Sequence, residues 1–180
     1  MRSNYLVLVL LAVAAIGRAA EAPRVSPEQV FAEAMAALER EGPSSQARYM
    51  HPQDLEEFKR MFLPMFGGSG EERAKETFGA NITREKLQTM PAQQFYERIM
   101  AQGDELRRLV PDQKTTTQVL GSVREGELVH IVFRTVVEND GRKTQGVDVQ
   151  TMRPLGNTWK LALKMTGLDT SPIEADIPDR

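Results

Sequence analysis

The spacing of apolar residues changes once along this chain, and that change limits the fold more than any other feature. Up to about Val110 apolar residues recur at helical spacing; beyond Thr115 they follow the alternation of strands. A run of helices followed by a run of strands predicts an α+β fold. The expected architecture is N-terminal helices packed on one face of a curved four-stranded antiparallel meander.

Local signals place the helices. Ser26 is an N-cap, Pro27 takes the first helical position, and Gln29 completes a capping box. Val30, Phe31, Ala34, Ala37 and Leu38 form one apolar stripe that Gly42-Pro43 stops. A second helix is expected from about Gln53 to Leu63, with Leu55, Phe58, Met61 and Phe62 on its apolar face and Pro64 ending or kinking it. Gly67-Gly68-Ser69-Gly70 reads as a flexible link. A third helix follows over Glu71 to Phe78, then a short turn capped by Thr83, then a helix opened by Pro91 that Gly103 ends or kinks.

The strands are expected at Thr115 to Val123, Leu128 to Glu138, Gly146 to Met152 and Trp159 to Met165. Asn139-Asp140-Gly141 is a hairpin signal, and the short connections imply antiparallel neighbours. Alternation assigns Val129, Ile131, Phe133 and Val137 to the inward face. It also places Val147 and Val149 inward on the third strand, and Trp159, Leu161, Leu163 and Met165 on the fourth. The outward face then carries His130, Arg134, Asp148, Gln150, Lys160 and Lys164, together with Leu128, Val132 and Val136.

Three stretches carry a family resemblance: Tyr49-Met50-His51-Pro52 before a helix, the strand run from Glu125 to Phe133, and Gly156-Asn157-Thr158-Trp159-Lys160-Leu161. In these the chain resembles the nuclear-transport-factor-like superfamily, which includes ketosteroid isomerase and the SnoaL-like cyclases. The resemblance implies a sheet curved into a cone with helices closing it. Enzymes of that kind place acids, or a Tyr–Asp pair, inside the cone. On the assigned faces no carboxylate points inward from the second to the fourth strand, which argues against catalysis. Fold likeness alone does not decide function.

The first residues look like an export signal. Arg2 supplies the positive charge, and Leu6 to Ile16 is an unbroken apolar run followed by Gly17, Arg18 and Ala19. Such a run matches a signal-peptide core of about 7–15 residues and falls short of the roughly 20 that cross a membrane. Residues 1–19 are therefore expected to be a cleaved signal, 24–166 a single α+β domain, and 167–180 a loosely held tail. The mature protein is expected in the periplasm or the extracellular medium with no stable membrane anchor.

With no cysteine in its 180 residues, the chain cannot use thiol chemistry, Cys-ligated zinc, iron–sulfur clusters or bacterial lipid attachment. It must be held together by packing. Of its 23 basic side chains Arg2 and Arg18 fall in the leader, which leaves a mature balance of −4 against 25 acids. That balance offers no electrostatic case for nucleic acid.

Chemical motifs are sparse. His51 and His130 are the only histidines and lie in no ligand-spaced pattern, so no metal is expected. His51 reads as a residue at a helix start whose ring bonds to backbone, and His130 as a sheet-surface residue. Asp148 reads as a cross-strand partner of Arg134 or Lys160. The glycine-rich link lacks the Lys-Ser/Thr of a phosphate loop, and there is no Gly-x-Ser-x-Gly elbow. Asn81-Ile82-Thr83 is a formal glycosylation sequon. The nine methionines suit an irregular core or an adaptable apolar pocket.

The expected function is that of an exported, non-catalytic domain binding a small apolar ligand or a protein partner, without cofactor. Tyr49, His51, Tyr96, Phe133 and Trp159 are the pocket candidates. Leu128, His130, Val132 and Val136 are the candidates for a partner face, homodimerisation included. The alternative is an isomerase- or cyclase-like enzyme using Tyr49, His51 or Tyr96 beside a pocket between helices and sheet.

Overall fold

The computed structural model describes residues 25–108 and 114–163. The expected signal segment, the whole of the expected tail over 167–180, and Met165 lie outside the described residues. The fold is α+β: helices on the N-terminal side and an antiparallel sheet of four strands that is not closed, in the order β1-β2-β3-β4.

Helix α1 spans Pro27–Glu41. The Ser26 hydroxyl accepts the Gln29 N–H at 3.1 Å, and Pro27 occupies the first turn. The reciprocal half of the expected capping box does not form, because the Gln29 amide reaches forward to Glu33 at 3.2 Å. Gly42 ends the helix at φ +92°. A 3₁₀ turn over Pro43–Arg48 follows, and its Gln46 amide donates to the Ala34 carbonyl at 2.8 Å, tying the turn back to α1.

Helix α2 spans Pro52–Phe62, with His51 as its N-cap. The expected start at Gln53 is one residue late, since Pro52 takes the first-turn position that needs no N–H partner. Pro64 lies in a 3₁₀ turn, Leu63–Phe66, where the α-helix stops. The glycine-rich stretch is folded rather than a flexible link: Gly68–Gly70 makes another 3₁₀ turn. Gly70 backs so closely onto the Met65 carbonyl that no Cβ fits there. Helix α3 is Glu71–Phe78, α4 is Arg84–Thr89 with Thr83 as its cap, and α5 is Ala92–Arg108. Gly103 neither ends nor interrupts α5; it gives the helix close approach to the Pro43 ring.

The strands are β1 Lys114–Glu125, β2 Leu128–Asn139, β3 Arg142–Leu155 and β4 Thr158–Leu161. All three hairpins turn on two residues, with Gly126, Asp140, Gly141 and Gly156 at positive φ. β3 is longer than expected and β4 shorter.

Register corrects one of the face assignments. The hairpin pairs Asn139 with Arg142, and this carries Phe133 opposite Asp148, Ile131 opposite Gln150 and Val129 opposite Met152. Paired residues share a face, so the inward residues of β3 are Asp148, Gln150 and Met152, and Val147 and Val149 point outward. Val147 is 60% exposed. The expected absence of an inward carboxylate therefore fails at Asp148. Its Oδ1 accepts the Val149 N–H at 2.7 Å, and the register puts it on the other face of the sheet from Arg134. The β2 and β4 assignments agree with the register: Val129, Ile131, Trp159 and Leu161 are buried.

Two hydrophobic cores result. In one, Val30, Phe31 and Ala34 of α1 pack against Val129, Ile131, Met152, Trp159 and Leu161 of the sheet. In the other, Leu55, Phe58, Phe66, Leu87, Phe95 and Tyr96 gather among α2 to α5. Helix α1 is thus the element that lies on the sheet.

Candidate functional site

The expected pocket residues do not surround one cavity. Tyr96 belongs to the helical core, with its ring edge-on to Phe58 at 4.9 Å, and burial pushes its hydroxyl up to about 12. Phe133 packs on the other core with its ring 4.9 Å from Phe31. Trp159 is buried in that same core with the Arg124 guanidinium 5.5 Å above its ring. Tyr49 and His51 sit at the β4 edge, where the Leu161 N–H donates to the Tyr49 carbonyl at 2.8 Å and the His51 N–H to the Leu161 carbonyl at 2.9 Å. That short parallel bridge covers the last strand.

His51 behaves as the sequence implied: its Nδ1 accepts the Gln53 N–H at 3.3 Å. Burial first, then the Arg153 charge, holds its pKa below the ordinary 6.5, and Asp54 opposes them. Asp54 was not singled out from the sequence, yet it joins α2 to the sheet. Its Oδ1 accepts from Arg153 at 2.7 Å and its Oδ2 from the Leu163 N–H at 2.9 Å. No local motif marks such a pair, because its members are far apart in sequence and only the fold brings them together.

The partner-face candidates do lie together. Leu128, His130, Val132 and Val136 share the outward side of β2, facing Thr151, Val149 and Gln145 of β3. His130 is held by the Thr151 hydroxyl at 3.0 Å and the Glu125 carboxylate at 2.9 Å. Val123 and Val147, each 60% exposed, extend the apolar part of this face.

A concavity lies between α1 and β1, where no expected site residue stands. It is a groove of about 380 Å³ lined by Phe31, Met35, Leu38, Pro43 and Val119, with Thr115, Thr117 and Glu39 as its polar members. Sequence signals for it existed. Ala32 and Ala36 leave room on the α1 flank, and Thr115, Thr117 and Val119 alternate along β1. Near the α1 N-terminus the Ser122 hydroxyl donates to Glu28 at 2.5 Å, linking α1 to β1 and holding the Glu28 carboxyl below its usual range. Val119 is the last regular residue of β1 before a bulge that ends at Gly121.

No helix among the described residues is long and apolar enough to cross a membrane. No protein-family model matches the sequence, and no curated protein matches it. Among solved structures the chain is similar to the solution structure of a SEC-C motif containing protein from Rhodopseudomonas palustris. The two are 13% identical at a TM-score of 0.41, over 77% of this chain and 76% of that one. No comparison returns the nuclear-transport-factor-like superfamily, and the expected membership of it is withdrawn. Its motif residues have local explanations: the Tyr49–His51 segment borders β4, and the Gly156–Leu161 stretch is a two-residue hairpin with its Trp in the core. The inward face that would form the cone is occupied by Val30, Phe31 and Ala34 of α1.

Proposed function

We propose that this chain is an exported binding domain and that the groove between α1 and β1 receives its ligand, a small apolar molecule or an apolar segment of a protein partner. The observation that carries the reading is the groove itself. Its size is that of ordinary ligand sites, and apolar walls with a few fixed polar groups are their usual makeup. The leader-like residues 1–19 support export. The isomerase or cyclase alternative draws no support from the geometry, since Tyr49, His51 and Tyr96 do not line the groove.

A neutral fluorescent probe, N-phenyl-1-naphthylamine, tests this. Its emission should rise on binding, and Ala32→Trp, which fills the groove from an exposed position of α1, should abolish the rise. Val147→Ser on the outward face should leave it unchanged. Loss of the signal in Val147→Ser but not in Ala32→Trp would move the site to the outward face. That face is the second reading, favoured by the exposure of Val123 and Val147. It predicts self-association that Val147→Lys abolishes in light scattering.

A further inference from the structure

The two edges of the sheet are treated differently. Beyond β4, the Tyr49–His51 segment satisfies the Leu161 N–H and carbonyl, so that edge is covered. Beyond β1, among the described residues, no backbone group bonds to the strand; its ladder partner is β2 alone. An open edge is a template for another strand, and proteins usually shorten, bulge or cover such edges. Here the bulge comes only after Val119, so the Lys114–Val119 stretch keeps a regular ladder with β2 and an open outer row of N–H and C=O groups.

The groove flanks that same stretch. Its strand residues are Thr115, Thr117 and Val119, all of β1, and its other wall is α1. A cleft bounded by an edge strand and a helix accepts an extended chain, whose backbone pairs with the strand while alternate side chains enter the cleft. Glu39 adds a charge requirement. It is an exposed acid lining an otherwise mostly apolar cleft, and no ion pair to it occurs among the described residues. Lysine or arginine in the incoming segment complements it.

We propose that the groove and the outer edge of Lys114–Val119 together bind an extended segment of a partner protein as a fifth strand, apolar at alternate positions and basic where it passes Glu39. This rests on the groove being the binding site and names what fills it. Backbone hydrogen bonds supply affinity, the Met35, Pro43 and Val119 surfaces select apolar side chains, and Glu39 selects the basic one.

The test uses the folded chain, isotope-labelled for amide NMR, and an eight-residue peptide of alternating valine and threonine carrying one lysine. Binding should slow hydrogen exchange at alternate amides of Lys114–Val119. N-methylation of alternate peptide amides should weaken it at least about tenfold, a loss of about 1.4 kcal/mol or more. Glu39→Lys, a surface change that leaves the core intact, should reverse the preference toward a peptide with glutamate in place of lysine. Equal binding of the N-methylated peptide, or shifts confined to Val132 and Val147, would overturn the proposal. If N-phenyl-1-naphthylamine binds and is blocked by Ala32→Trp while no peptide binds, the strand proposal falls and the groove reading stands. If neither binds, both fall.

Discussion

At the start of α2 the His51 ring is 7% exposed, caps the helix through Nδ1, and stands in the fields of Arg153 and Lys160. Its pKa lies below the ordinary 6.5, with burial the leading cause. As pH falls through that value the unfolded ring takes up a proton while the folded ring resists. The neutral ring is therefore fully compatible with folding above about pH 6.5, and stability declines below it until the folded ring also titrates. His51→Asn keeps a capping acceptor and removes the titration. Between about pH 7 and pH 5 the wild-type Tm should fall more than that of His51→Asn; parallel profiles would refute this origin. Asp54 makes a second residue-scale prediction. Asp54→Ala should cost about 2 kcal/mol in urea denaturation, the scale of charge-assisted hydrogen bonds. The figure is held down because the Arg153 side chain is 32% exposed and water replaces part of the pairing.

Among the elements, the junction of α1 with the turn that follows depends on Gly42. Its φ of +92° suits glycine, and a Cβ there would collide with the Asp104 side chain, whose Oδ1 accepts the Ser44 N–H at 3.2 Å. Gly42→Ala should destabilise by more than about 1 kcal/mol. Gly79→Ala, also at positive φ but facing open space, should lose less; thermal melts of the two variants compare them directly. In the helical core Phe95 is 0% exposed and meets Phe58, Phe66 and Phe78. Phe95→Ala should cost about 3–5 kcal/mol by denaturant midpoint. The helix positions were legible because caps and stripes are local. Apolar alternation misplaces the β3 faces because Val149 meets Val132 on an outward face that is itself apolar, and because Val147 lies where the sheet outgrows α1. There both faces meet solvent, and apolar alternation no longer reports which one is covered. The two-residue Asp140-Gly141 turn held the correct register all along, since it alone determines which residues pair.

Over the whole molecule, α1 covers the Val129–Phe133 half of β2, while its hairpin end with β3 projects past the helix. Protection should follow cover. Amide exchange should be slowest at Val129 and Ile131 and grow faster toward Val137 and Glu138, although the ladder of hydrogen bonds is continuous. Uniform protection along β2 would show that something else covers the projecting end. The same geometry explains why the candidate site escaped the sequence. A groove between α1 and β1 needs elements far apart in the chain to meet, and the aromatic residues that looked like pocket walls went instead to filling two separate cores.

Local chemistry is written in the order of the residues: helices before strands, the α+β class, the helix caps, the hairpin turns and the exclusion of cysteine chemistry. Backbone propensities and turn geometry act over a few residues, so those features are written where they occur. Long-range packing puts α1 on the face a ligand cone would need, brings Asp54 to Arg153, and covers the β4 edge while leaving the β1 edge open among the described residues. Each of these depends on which distant surfaces bury one another, and hydrophobic burial is non-directional: many pairings satisfy the same pattern until packing selects one.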